Sequence, residues 1–385
     1  MYKFAFKNLW LKKSRSILAL IGLSVAIIGI ISLISISLGI KYEVTNMFSK
    51  MDGVTVLQKG VFNDAQSYLS LDYKKKLEVF QESKVVVPTV SGIAADFEKK
   101  GSILQAKPLG GLVSFIGVSV SDASKLKQGS LYNPKITKGR SLKSYDNKNV
   151  LIGQSIADDY DKTVGSKIYF NGETFKVVGI FNQDSKLFNR MVILPLKEAQ
   201  KITHRDSNTI GFFYIELKNP SNAEKLADKI NFRYEDKGLD ASTGSGFAGE
   251  ISGVMNSLDL FFYAISSIAL FIGAIGIINT MLMSVLERTK EFGILKAVGW
   301  TNSNILKLIM YESLFLGLIG GIIGLIISII LIKFIAPYFL TFTMIITPTL
   351  IIGSIILSLI LGIIGGIYPA WKASKLDPVK AIRFE

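Results

Sequence analysis

Four long apolar runs, one near the start and three crowded into the last third, limit what this chain can fold into more than anything else in it. They cover residues 17–40, 258–286, 305–332 and 350–368. A hydrocarbon core about 30 Å thick is crossed by about 20 helical residues at about 1.5 Å rise each, and every run is near or above that length. Inside lipid each backbone N–H and C=O must find its partner within the segment, which leaves helices as the form such runs take. The polar stretch between the first two runs, 41–257, is long enough for one domain of ordinary size. The expected architecture is an α-helical membrane protein with four transmembrane helices, one plus three, carrying a folded domain on a single side of the bilayer.

Lysine and arginine in the short flanks set the orientation. Lys3, Lys7, Lys12, Lys13 and Arg15 precede the first run, Arg288, Lys290 and Lys296 follow the second, and Lys372, Lys375, Lys380 and Arg383 close the chain. The short outer loop 333–349 has only Lys333. This places both termini, the turn 287–304 and the tail 369–385 in the cytoplasm, and 41–257 outside, in a multi-pass protein of the cell membrane. Residues 1–16 read as a cytoplasmic amphipathic helix on the inner lipid surface, with Tyr2, Phe6, Leu9 and Trp10 on one face and Lys3 and Lys7 on the other. The run 17–40 is too long for a signal-peptide core, and its best small-x-small site, Ser35-Ile36-Ser37, is a weak one, so it reads as a retained span. Net charge is +14, yet residues 41–257 hold 30 Lys and Arg against 24 Asp and Glu, and the rest of the excess flanks the spans. That distribution serves topology and anionic lipid, not nucleic acid.

The outer stretch reads as α+β. Strands are expected at 84–90, 149–152, 167–170, 174–180, 190–194 and 210–217, with Asn171-Gly172 as a hairpin turn. Ser221 and Glu224 form a capping box for a helix through about Ile230. The Gly-, Ser- and Thr-rich segment 238–253 reads as a flexible connector. No Gly-Lys dipeptide occurs, so a Walker A loop is excluded and ATP is not bound through one here. With no cysteine, disulfides and thiol chemistry are excluded as well. His204 is the only histidine, which rules out His-based triads and multi-His metal sites and suits a surface loop. Asp158, Asp159 and Asp161 lack the spacing of a calcium loop and read as a solvated face. No catalytic, cofactor or metal constellation emerges, and the chain reads as no enzyme.

Small residues mark helix packing. Gly317, Gly320, Gly321 and Gly324 interleave two G-x-x-x-G pairs, and Gly362 and Gly366 form a third. They suit close helix approach, within one chain or between two copies. Glu312 lies inside the third run and calls for a partner such as Lys307, or an interface position. The segment Glu287-Arg288-Thr289-Lys290-Glu291-Phe292-Gly293-Ile294-Leu295-Lys296-Ala297-Val298-Gly299-Trp300 reads as a short charged helix between two spans, a ledge for a soluble partner.

That segment resembles the signature cytoplasmic turn of the MacB-like and FtsX-like permeases of ABC transporters. The ending Tyr368-Pro369-Ala370-Trp371-Lys372 through Asp377-Pro378-Val379 is similar to the family's C-terminus. Phe6-Lys7-Asn8-Leu9 resembles its approach to the first span. Asn149-Val150-Leu151-Ile152-Gly153 and Phe175-Lys176-Val177-Val178-Gly179 resemble its periplasmic-type core domain. Trp300 departs from the small residue usual there, and the ATPase domain carried by some members is lacking, so the resemblance is to a stand-alone permease half. It implies a separate ABC ATPase holding ATP and Mg, a second permease copy or paralogue, membrane lipid and an extracytoplasmic adaptor as partners. It assigns ATPase coupling to Glu287, Arg288, Lys290, Glu291, Gly293, Lys296 and Gly299, with the tail alongside and Asp377 capping a short helix. The function it implies is export of a hydrophobic compound, peptide or lipoprotein by ATP-driven movement of the outer domain. The alternative is a lever that moves nothing and regulates an outside partner such as a cell-wall hydrolase.

Overall fold

The computed structural model describes residues 13–49, 52–61, 66–99, 113–340 and 343–382. The expected amphipathic helix over 1–16 lies almost wholly outside the described residues. The chain divides into two compact units, one of residues 1–39, 256–337 and 344–385, the other of residues 40–255 and 338–343.

The first unit is built of long apolar helices: α1 (Lys13–Ser49), α2 (Gly244–Glu287), α3 (Thr289–Ala297), α4 (Asn302–Ile330), α5 (Pro348–Ser374) and the short α6 (Pro378–Ile382). Four of them are long and apolar enough to cross a membrane. Helices α1 and α2 run well past their apolar runs, to 37 and 44 residues, and each contains residues of both units. Hydropathy marks only the part of a helix that lipid can hold, whereas backbone hydrogen bonding continues through water as readily. The exposed faces are apolar, with Leu260, Phe271 and Ile272 of α2 turned outward, as lipid contact requires.

Glycine brings these helices together. A Cβ on Gly317 would stand 2.6 Å from the Ser358 carbonyl oxygen, and one on Gly362 would stand 2.7 Å from that of Ser313, so α4 and α5 pack backbone to backbone. Gly321 and Gly366 face Ser358 and Ser313 in the same seam. Gly320 and Gly324 lie on the other side of α4, against Leu23 and Ile27 of α1. All six glycines thus face helices of their own chain.

The second unit is a mixed ten-stranded sheet. In chain order its strands are β1 (Gly53–Gln58), β2 (Ser83–Ile93), β3 (Ser114–Val118), β4 (Ile136–Gly139), β5 (Asn149–Gly153), β6 (Lys167–Phe170), β7 (Glu173–Phe181), β8 (Met191–Pro195), β9 (Phe212–Leu217) and β10 (Leu239–Thr243). They lie in the order β10-β1-β9-β2-β3-β8-β5-β7-β4, with β6 paired to β7. Pairs β3–β8 and β5–β7 are parallel. Asn171 and Gly172 both take positive φ at the β6–β7 turn, as a two-residue hairpin of this composition demands. Strand alternation splits the apolar residues between two faces. Phe115, Phe170 and Phe175 fall in one core, and Ile116, Leu151 and Ile193 in another. Central β9 is buried at all six positions, which covers both faces.

Two local expectations are corrected. Segment 238–253 is no flexible connector: β10 pairs with β1 along its whole length, and α2 begins at Gly244. Thr243 Oγ1 accepts the Gly246 N–H at 2.9 Å, so a threonine cap starts the helix despite its glycines. Ser221 is not the cap of the following helix either. Asn219 accepts the Ser221 N–H and opens a short 3₁₀ turn, after which helix Ala223–Tyr234 begins.

Candidate coupling site

Helix α3 is held from both ends. Arg288, directly after α2, is only 7% exposed. Its Nη1 donates to both carboxylate oxygens of Glu312 on α4, at 2.8 and 3.1 Å. Its Nε donates to Glu291 at 2.9 Å, and its guanidinium carbon lies 5.0 Å from the centre of the fully buried Phe292 ring. Glu312 is 3% exposed, and its partner is Arg288 where Lys307 was expected. Helix periodicity could relate Glu312 only to neighbours on its own helix; a residue 24 positions earlier enters through packing. A pair buried this deeply requires both members, because desolvation leaves either one costly alone.

At the far end, Lys296 Nζ donates to the carbonyl oxygens of Ser374 and Leu376, both at 2.7 Å. Ser374 is the last residue of α5 and Leu376 lies just beyond it, where a cation is favoured by the free acceptors and the helix dipole. The chain tail is thereby fastened to α3. Asp377 Oδ1 accepts the Val379 N–H at 2.9 Å at the start of α6, and Pro378 occupies the first helical position. Gly299 ends the turn with φ +103, a left-handed conformation that costs a glycine little. Trp300 packs against the membrane-unit core, and Thr301 Oγ1 caps α4 through the Asn304 N–H.

The residues proposed for coupling therefore divide by direction. Arg288, Gly293 and Lys296 turn inward or toward the tail, while Glu287, Lys290, Glu291 and Gly299 are exposed. The outward face also carries Ile294, 50% exposed, and Val298, 78% exposed. With Lys290 and Glu291 these make one stripe at helical spacing. Sequence reading missed these two aliphatics because apolar residues beside two spans resemble membrane sequence; their spacing from Lys290 was the available signal.

Elsewhere, no acidic or histidine cluster with metal-holding geometry occurs among the described residues. Asp159 pairs with Arg190, and Asp158 accepts from Gln154. His204 is exposed with φ +53, just past helix Leu196–Ile202.

Four apolar helices long enough to cross a membrane, an α+β domain inserted after the first and a pinned, charged turn after the second define a multi-pass membrane protein of a definite architectural class. Residues 16–231 match the MacB-like periplasmic core domain and residues 263–378 the FtsX-like permease C-terminal region. The chain belongs to the MacB-like and FtsX-like permeases of ABC transporters. An uncharacterized ABC transporter permease of Methanocaldococcus jannaschii is 35% identical over the full length of both chains. A second from the same organism is 30% identical over 82% of this chain and 79% of its own. The macrolide export ATP-binding/permease protein MacB of Neisseria gonorrhoeae is 26% identical over 96% of this chain and 58% of its own length.

Proposed function

We propose that this chain is the permease subunit that takes up the nucleotide-driven closure of a separate ABC ATPase and converts it into movement of its outer unit, for export of a hydrophobic compound, peptide or lipoprotein. ATP and Mg are held by the ATPase. A second copy or paralogue completes the permease, termini lie in the cytoplasm, and an extracytoplasmic adaptor receives the cargo. The observation that supports this reading is the exposed stripe of Lys290, Glu291, Ile294 and Val298 on a helix whose opposite side is tied to α4 and α5. Apolar side chains in a charged surround suit a protein partner, and a rigidly tied helix passes displacement on instead of absorbing it. Lys290 and Arg288 beside the membrane favour a cytoplasmic position. Helices α1 and α2, each containing residues of both units, suit transmission along the chain.

The test is affinity purification of the tagged full chain from its own cells, with mass spectrometry of what remains bound. A P-loop ATPase is expected in the parent sample and depleted about tenfold or more by Ile294→Asp or Val298→Asp, since a central apolar contact contributes at least about 1.4 kcal/mol. Recovery of the ATPase at parental levels with both variants would sink the proposal.

A further inference from the structure

One exposed stripe of α5 changes character abruptly at its end. Ile360, Ile364 and Ile367 are exposed along it and lead at helical spacing to Tyr368 and Trp371, 49% and 50% exposed. The rise from exposed Ile352 to Trp371 is about 28 Å, close to the ~30 Å of a hydrocarbon core. With the apolar stripe in lipid, Trp371 falls at the boundary with water, where amphipathic rings are favoured. The two rings stack, with centres 6.5 Å apart and planes 26° from parallel.

Two lysines stand at that boundary. Lys375 Nζ lies 4.4 Å from the Trp371 ring centre, and exposed Lys372 shares its side of the helix at i,i+3. A helix C-terminus ordinarily repels an anion and draws a nearby lysine onto its own last carbonyls. Here Lys296 donates to the Ser374 and Leu376 carbonyls instead. It offsets the negative end of α5, and Lys375 stands over the indole face. Two ammonium groups beside a half-exposed ring pair, at the end of a continuous apolar stripe, match an amphiphile with a negative head and a long hydrocarbon chain. A phosphodiester accepts from both ammonium groups while the chain lies along the isoleucines.

We propose that the end of α5 binds one anionic phospholipid, with its phosphodiester on Lys372 and Lys375, its glycerol beside Tyr368 and Trp371, and a hydrocarbon chain along Ile360, Ile364 and Ile367. An unselective interfacial belt would give the rings the same depth with no choice of headgroup. The exposed stripe of α3 has no part in this site, so failure of the site would leave the coupling role standing.

The experiment reconstitutes the full chain in phosphatidylcholine vesicles that contain a small fraction of brominated phosphatidylglycerol or brominated phosphatidylcholine. Bromine placed high in the acyl chain quenches tryptophan on contact. The Trp371 signal is the difference between the parent and Trp371→Phe, which removes the contributions of Trp10 and Trp300. Brominated phosphatidylglycerol should quench it at about tenfold lower fraction or less, as two lysines at a lipid surface imply. Lys372→Gln together with Lys375→Gln should bring the two lipids to near equality, and arginine at both positions should keep the preference. Lys333→Gln, which removes an exposed charge at another span end, should leave it unchanged. Equal quenching by the two lipids, or quenching by neither, would overturn the site. A preference that survives loss of both lysines would reflect attraction to the basic chain as a whole and would overturn it too. If the double variant fails to fold, Lys375→Gln alone decides: it should lower the preference about threefold or more, and an unchanged preference would sink the site.

Discussion

Arg288 does more for this molecule than its place in a charged turn suggests. Buried against Phe292 and bonded to Glu291 and Glu312, it joins the helix after the second span to the third. Replacing it with methionine strands Glu312 in an apolar surround. Thermal unfolding of Arg288→Met in micelles should show a loss of about 3–5 kcal/mol, and pairing it with Glu312→Leu should restore most of that. A double variant no more stable than the single would mean the pair is not the source. In the sheet unit, Asp146 is buried and accepts two hydrogen bonds from Arg140, at 2.6 and 2.9 Å, a third from the Lys143 N–H and a fourth from Asn149. The Arg140 guanidinium foremost holds its carboxyl well below the usual carboxylate range. Because the folded form is the stronger acid, the stabilisation is present above the unfolded value of about 3.9 and is lost as pH falls below it. Asp146→Asn should flatten the acid limb of the stability curve, measured by thermal melts across that range. Neither pairing was legible beforehand: Arg288 meets Glu312 only where two helices pack, and Arg140 meets Asp146 through the fold of an irregular loop that no period encodes.

At the scale of elements, the glycine pattern was legible but its addressee was not. The spacing of Gly317, Gly321, Gly362 and Gly366 announces close helix approach, and two faces of α4 follow from the offset of Gly320 and Gly324. Whether those faces meet the same chain or another copy depends on which helices pack side by side, and here they meet α5 and α1. Gly317→Leu should cost at least about 1–3 kcal/mol through overpacking and lower the folded yield in micelles. Gly276→Ala should be tolerated, since no atom lies within 4 Å of its added Cβ. Equal melting of the two variants would contradict the seam. The start of α2 shows the converse. Glycine, serine and threonine content suggested a flexible connector, but pairing of β10 with β1 and the Thr243 cap supply what the local composition lacks.

For the whole molecule, orientation is open to direct test because the chain has no cysteine. Single variants Ser121→Cys and Lys290→Cys, both at exposed positions, should react with an impermeant maleimide in opposite ways. The first should label in intact cells and the second only after permeabilisation. The reverse pattern would invert the topology and remove the turn from the side where ATP is available.

Sequence alone determined the number of spans, the one-plus-three layout and most strands. Each of these rests on local repetition: twenty apolar residues for lipid, alternation for a sheet face, Asn-Gly for a tight turn. Tertiary structure decided that Arg288 answers Glu312, that Ile294 and Val298 look outward, and that Lys296 holds the end of α5. Those depend on residues far apart in the chain meeting across packed surfaces, and no local period encodes such a meeting.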